Sequence, residues 1–98
     1  MSDKGQPVAE QGDTKVEIYT RRYCGYCVRA KLLLESKNIA YTELSLDAEP
    51  ALREVMLERS GGGYTVPQIF INNLAVGGCT ELFALEQQGR LDEMLAEE

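Results

Sequence analysis

The chain has no histidine and no tryptophan, and its 98 residues include three cysteines, three methionines and three prolines. Missing histidine removes the most common general base near neutral pH and the most common zinc ligand. A zinc site takes four ligands, or three and a water, and a close cysteine pair with one distant thiol does not supply them, so no metal is expected. An odd cysteine count, with no apolar stretch of signal-peptide type at the N-terminus, speaks against a secreted disulfide scaffold and for a cytoplasmic protein. No run approaches the roughly 18 consecutive apolar residues of a membrane span, so no membrane partner is expected. Acidic residues outnumber basic ones by 16 to 10, a net charge of -6, which disfavours nucleic acid as a partner.

What is present is a single small domain. A chain of this length buries roughly 60–70% of its unfolded surface, enough for a core without metal or disulfide support. Residues 1–14 are polar, carry Gly5, Pro7 and Gly12, show no apolar periodicity and read as a disordered tail, leaving 15–98 as the domain. Within it, Cys24-Gly25-Tyr26-Cys27 places two thiols between a β-branched run, Lys15 to Thr20, and a helical pattern, Val28 to Lys37. A helix starting between the cysteines puts Cys24 at its N-terminus, where unpaired N–H groups and the macrodipole favour an anion. The thiolate is the nucleophile in exchange, so Cys24 is the expected attacking group and Cys27 its resolving partner. Arg21, Arg22, Arg29 and Lys31 flank the pair, and no acidic residue lies between Thr20 and Leu34, making a locally basic spot on an acidic chain.

Alternating patterns give the remaining elements. Ile39 to Leu46 alternates as a strand, and Asp47 with Pro50 reads as the start of a second helix that the Ser60-Gly61-Gly62-Gly63 run stops. Gln68 to Ile71 and Leu74 to Val76 flank Asn72-Asn73, which suits a two-residue hairpin turn. Leu82, Phe83, Leu85 and then Leu91, Met94 and Leu95 define a last helix interrupted at Gly89. The order β-α-β-α-β-β-α, with a parallel first half and an antiparallel hairpin, is an α/β thioredoxin fold with a four-stranded mixed sheet.

The stretch from Val16 to about Ala96 resembles a glutaredoxin. The likeness rests on Tyr19-Thr20 before the cysteine pair, Cys24-Gly25-Tyr26-Cys27 itself, Thr65-Val66-Pro67, and Gly77-Gly78-Cys79-Thr80. These stretches in this order and at these separations are far more specific together than any one alone. Thioredoxins usually carry tryptophan directly before the first active cysteine, and here Tyr23 holds that place.

The resemblance implies a glutathione-dependent thiol–disulfide oxidoreductase that reduces protein–glutathione mixed disulfides and protein disulfides. It implies a cis proline at Pro67, where the residues alone read as an ordinary strand start. It also implies a glutathione site made by Thr65, the main chain of Val66, and the helix-opening turn at Gly78, Cys79 and Thr80, with Thr80 as a candidate N-cap. Arg21, and more loosely Arg53, match basic positions that meet the glycyl carboxylate, and Tyr26 would shield one side. Cys79 is open between a small buried hydrophobe and a direct redox role. Relatives usually have proline at the Gly25 position, and those with glycine resemble proteins in which two subunits and two glutathiones hold a [2Fe–2S] cluster through Cys24. A cluster-bridged homodimer is therefore the alternative to a monomeric reductase.

Overall fold

The computed structural model describes residues 14–96. The tail reading therefore lies outside the described residues except for Thr14, which is buried. The elements are β1 (Val16–Thr20), α1 (Gly25–Ser36), β2 (Thr42–Ser45), α2 (Leu52–Ser60), β3 (Gln68–Ile71), β4 (Leu74–Gly77), α3 (Cys79–Gln87) and α4 (Leu91–Ala96). The strands form one sheet in the order β2-β1-β3-β4. Strand β1 runs parallel to β2 and antiparallel to β3, and β3 pairs antiparallel with β4. This is the thioredoxin fold expected from the alternating patterns, with its last helix divided in two.

Residue alternation in the two central strands creates two cores. Val16, Ile18, Ile69 and Ile71 face α1, α3 and α4, where Ala30, Leu34, Leu82, Leu91 and Leu95 are buried. Tyr19 and Phe70 face the other way and meet Met56 of α2, with the two rings edge to face at 5.7 Å between centroids. Both faces of the sheet are thereby covered, which a parallel pair requires.

Helix ends differ from the expectation where backbone bonds overrule the apolar pattern. Lys37 is the C-cap of α1, and Asn38 follows it in the left-handed region, φ 58, which asparagine tolerates. Its N–H donates to the Glu35 carbonyl, and the Ile39 N–H donates to the Leu34 carbonyl, so the chain closes α1 with both bonds of a Schellman motif. Ile39 is thus committed to the helix end, and β2 is four residues rather than the eight expected from 39–46. Asp47 is not the N-cap of α2. Ala51 holds that position without a side-chain bond, and the Asp47 carboxylate instead accepts from the Arg22 N–H. Gly61 stops α2 at φ 71, and Asn72-Asn73 forms the β3–β4 turn at φ 51 and 68. Gly89, φ 73, separates α3 from α4.

One polar side chain ties the second core together. Arg59 of α2 donates to the Glu17 carboxylate at 2.7 Å, the Tyr19 hydroxyl at 2.8 Å and the Asn73 side chain at 3.2 Å, with its guanidinium 4.1 Å from the Phe70 centroid. Removing it leaves a mostly buried carboxylate without its cation, a loss that costs more than the intact pair contributes. Arg59→Met is expected to destabilise the protein by about 2 kcal/mol, reduced from fully buried values because both partners keep some exposure. Arg59→Lys should recover part of the loss, since an ammonium cannot reproduce the planar fork. Urea midpoints of the three proteins check this.

Candidate active site

Cys24 is the N-cap of α1. Its backbone is extended, φ -114 and ψ 106, and its sulfur accepts from the Cys27 N–H at 3.2 Å, as a serine oxygen would in an ordinary cap. A thiolate there is held by a backbone donor and the positive end of the helix. The first turn contains no acidic side chain. On its other side the Cys24 sulfur lies 3.8 Å from the Val66 carbonyl oxygen, and the Val66–Pro67 bond is cis.

The second thiol sits in a contrasting environment. Cys27 is 1% exposed, while Cys24 is half-buried. Burial, then the hydrogen bond to Cys24 and its charge, push the Cys27 thiol up to about 12, against smaller opposing effects of an Arg21 backbone bond and the Lys31 charge. Cys27 is therefore a protonated thiol near neutral pH. Cys79 also packs into the first core, and burial pushes its thiol up as well. The small-hydrophobe reading accounts for that position.

Two grooves lie near Cys24, one lined by Val66, whose carbonyl oxygen is 3.8 Å from the Cys24 sulfur, and the other by Cys24 itself. One, of about 350 Å³, is lined by Tyr26, Thr65, Val66, Pro67, Gly78, Cys79, Thr80 and Glu81, so seven of the residues singled out in the sequence line one cleft. The other, of about 420 Å³, holds Cys24 and Cys27 with Arg21, Arg22, Tyr23, Lys31 and Glu43. Arg53 lines neither. It is exposed on α2, whose residues Leu52 and Met56 join the same core as Val66.

Thr80 is not the N-cap of α3; Gly78 is, in extended conformation. The Glu81 carboxylate folds back to accept from the Gly78 N–H at 2.8 Å, a role the sequence reading missed although the three-residue spacing of a capping box was there to find. A Cβ at Gly78 would meet the Pro67 carbonyl oxygen at 3.2 Å, so glycine lets this turn approach the cis proline. Neighbouring Gly77 has φ 114, a conformation that favours glycine.

The basic spot is also less basic than the sequence suggests. Lys31 pairs with Glu43 at 3.0 Å, and the Thr20 hydroxyl, then Lys31, hold the Glu43 carboxyl below its usual range. Arg22 approaches Asp47 at 3.9 Å, and Arg29 stacks on Phe83 at 5.7 Å. Arg21 has no ion pair among the described residues and lies exposed beside Cys24. Among those residues no three Cys, His, Asp or Glu side chains come together as metal ligands, and no helix is long and apolar enough to cross a membrane.

Comparison with known proteins agrees with this geometry. The family model for glutaredoxin matches residues 16–76. The chain is 52% identical over 80 residues to glutaredoxin 3 of Escherichia coli, covering 82% of this chain and 95% of that protein. It is 51% identical over 79 residues to glutaredoxin 1 of Rickettsia typhi, covering 80% and 76%. Among solved structures, the buckwheat glutaredoxin–glutathione complex superposes with a TM-score of 0.77 at 30% identity, covering 90% of this chain and 82% of that one. The glutaredoxin of Brucella melitensis gives 0.72 at 51% identity, covering 84% and 88%. With the family model matched over more than half of the chain and relatives above 50% identity covered over most of their length, the chain belongs to the glutaredoxin family of thiol–disulfide oxidoreductases.

Proposed function

We propose that this chain reduces protein–glutathione mixed disulfides, and protein disulfides, at the expense of glutathione. The observation that carries the reading is the cleft running from Thr65-Val66-Pro67 to Gly78-Cys79-Thr80 beside the Cys24 sulfur. An extended tripeptide fits such a cleft by pairing its main chain with Val66, as an added strand would. One carboxylate of glutathione is given to the N–H groups of Cys79 and Thr80 at the start of α3, and the glycyl carboxylate to Arg21. The Glu81 carboxylate, already on the Gly78 N–H, offers an acceptor to the γ-glutamyl ammonium. That a solved relative at 30% identity is a glutathione complex supports the assignment.

Chemistry then proceeds by two exchanges. The Cys24 thiolate attacks the glutathione sulfur of the mixed disulfide; a Cys24–glutathione disulfide forms, and the protein thiol leaves as its thiolate. A second glutathione thiolate attacks the glutathione sulfur of that intermediate, releasing oxidised glutathione and restoring the Cys24 thiolate. For a protein disulfide, Cys24 becomes joined to the protein, and Cys27 must lose its proton to attack Cys24 and release it, leaving a Cys24–Cys27 disulfide for glutathione to reduce. The alternative, a [2Fe–2S] cluster bridging two chains, would take its four thiolates from Cys24 of each chain and two glutathiones.

Turnover coupled to glutathione reductase tests the reading. Arg21→Ala should raise the glutathione KM several-fold, consistent with about 1 kcal/mol for an exposed charge-assisted contact, and high salt should raise the wild-type KM in the same direction. A KM indifferent to both removes Arg21 from the site. Failure of glutathione to support any turnover removes the reading itself.

A further inference from the structure

The surface around the nucleophile carries aromatic rings that the fold does not use. Tyr23 is 99% exposed, Tyr26 60% and Tyr64 63%. Tyr19, by contrast, is buried against Phe70, and Tyr41 is partly buried against the first core. Tyr23 directly precedes Cys24, and Tyr64 stands two residues before Val66, whose carbonyl oxygen is 3.8 Å from the sulfur.

Tyr23 also has φ 57, a left-handed conformation that bulky side chains rarely adopt and that glycine or asparagine takes at less cost. Folding alone would favour a small residue at such a position, yet a large ring stands there fully in solvent. Its loop is anchored: the Arg22 N–H donates to the Asp47 carboxylate, and the Arg22 guanidinium lies 6.0 Å from the Tyr23 centroid. Backbone cost retained next to a nucleophile is a recognised mark of function. Exposed tyrosine beside arginine is also the composition of protein contact surfaces.

Charge narrows the partner. Arg21 is given to the glycyl carboxylate in the reading above, whereas the Arg22 side chain is 73% exposed, with only a distant contact to Asp47 at 3.9 Å. Arg22 thus presents an exposed cation beside Tyr23 on a chain of net charge -6, and it complements an acidic side chain. The Cys24 sulfur is recessed between the start of α1 and the Val66 carbonyl, so the sulfur it meets must protrude from its own chain. An extended segment does that more readily than a folded surface.

We propose that Tyr23 and Tyr64, with Arg22, dock an extended acidic polypeptide segment that carries the disulfide-linked cysteine to Cys24. This rests on the exchange reaction proposed above and makes the rings determinants of protein specificity, with no part in the chemistry at sulfur.

Three substrates and two variants test it. The substrates are a glutathionylated peptide with aspartates beside its cysteine, the same peptide with lysines there, and glutathionylated cysteine. Tyr23→Asn removes the ring but keeps a residue suited to the left-handed backbone, and Tyr64→Ala removes the second ring from outside that loop. Wild type should prefer the aspartate peptide by about five-fold in kcat/KM at low salt, with the gap closing at high salt. Each variant should lose about five-fold on the aspartate peptide and stay within about two-fold on glutathionylated cysteine. Equal losses on all three substrates, no loss on any, or no preference between the peptides would overturn the docking surface. Wild type inactive on glutathionylated cysteine would instead overturn the exchange reading, so the two failures are distinct.

Discussion

Cys24→Ser is expected to lose deglutathionylating activity by on the order of a thousand-fold or more, while Cys27→Ser keeps it within a few-fold. The asymmetry follows from position. Cys24 is the half-buried cap whose sulfur is held by a backbone donor, and an alcohol there is a far weaker nucleophile than a thiolate. Cys27 is not needed when external glutathione resolves the intermediate. On a protein disulfide substrate the order changes: Cys27→Ser should be strongly impaired, because the mixed disulfide with the protein then lacks its internal resolving thiol. Initial rates on a glutathionylated and a disulfide-bonded substrate, measured for wild type and both variants, check the pair. Cys27→Ser dead on the glutathionylated substrate would exclude the monothiol route.

The site could be read from sequence to the extent that its signals are local. The cysteine pair, the glycine turn before α3 and the Thr65-Val66-Pro67 run are each contiguous, and seven of the residues they supplied line one cleft. Likewise Asn72-Asn73, Gly61 and Gly89 mark turns through their own backbone preferences, and all three have positive φ.

What escaped the sequence depends on partners far along the chain. The basic spot read from residues 21–31 ignored Glu43 and Asp47, which the parallel pairing of β2 with β1 carries to Lys31 and Arg22. Arg59 carries no local mark of its role, because its partners Tyr19 and Glu17 lie 40 and 42 residues away. Asp47 failed as a cap because the Arg22 N–H claimed its carboxylate. Arg53 was placed by family likeness without a local constraint, and it lines neither groove near Cys24.

Alkylation should separate the thiols still further than mutation does. Folded protein at neutral pH is expected to take up one equivalent of iodoacetamide, at Cys24, with Cys27 and Cys79 reacting only on unfolding. A thiol that burial pushes well above its usual range stays protonated at pH 7, and the 1% exposure of Cys27 blocks access to it. The same shift has a consequence for stability. Because the folded state holds the Cys27 proton more tightly than the unfolded chain, whose thiols titrate near 8.5, this contribution is fully present below about pH 8.5 and is lost as pH rises towards about 12. Other groups act in this range, including Tyr41, which burial and then Glu35 also push up to about 12. The comparison that isolates Cys27 is therefore wild type against Cys27→Ser, whose hydroxyl does not ionise there. Urea midpoints should fall more steeply above pH 9 for wild type than for the variant, and mass spectrometry of the alkylated protein should place the single adduct on Cys24. Parallel midpoints, or Cys27 labelled as fast as Cys24, would mean that the second thiol is not held protonated by the fold.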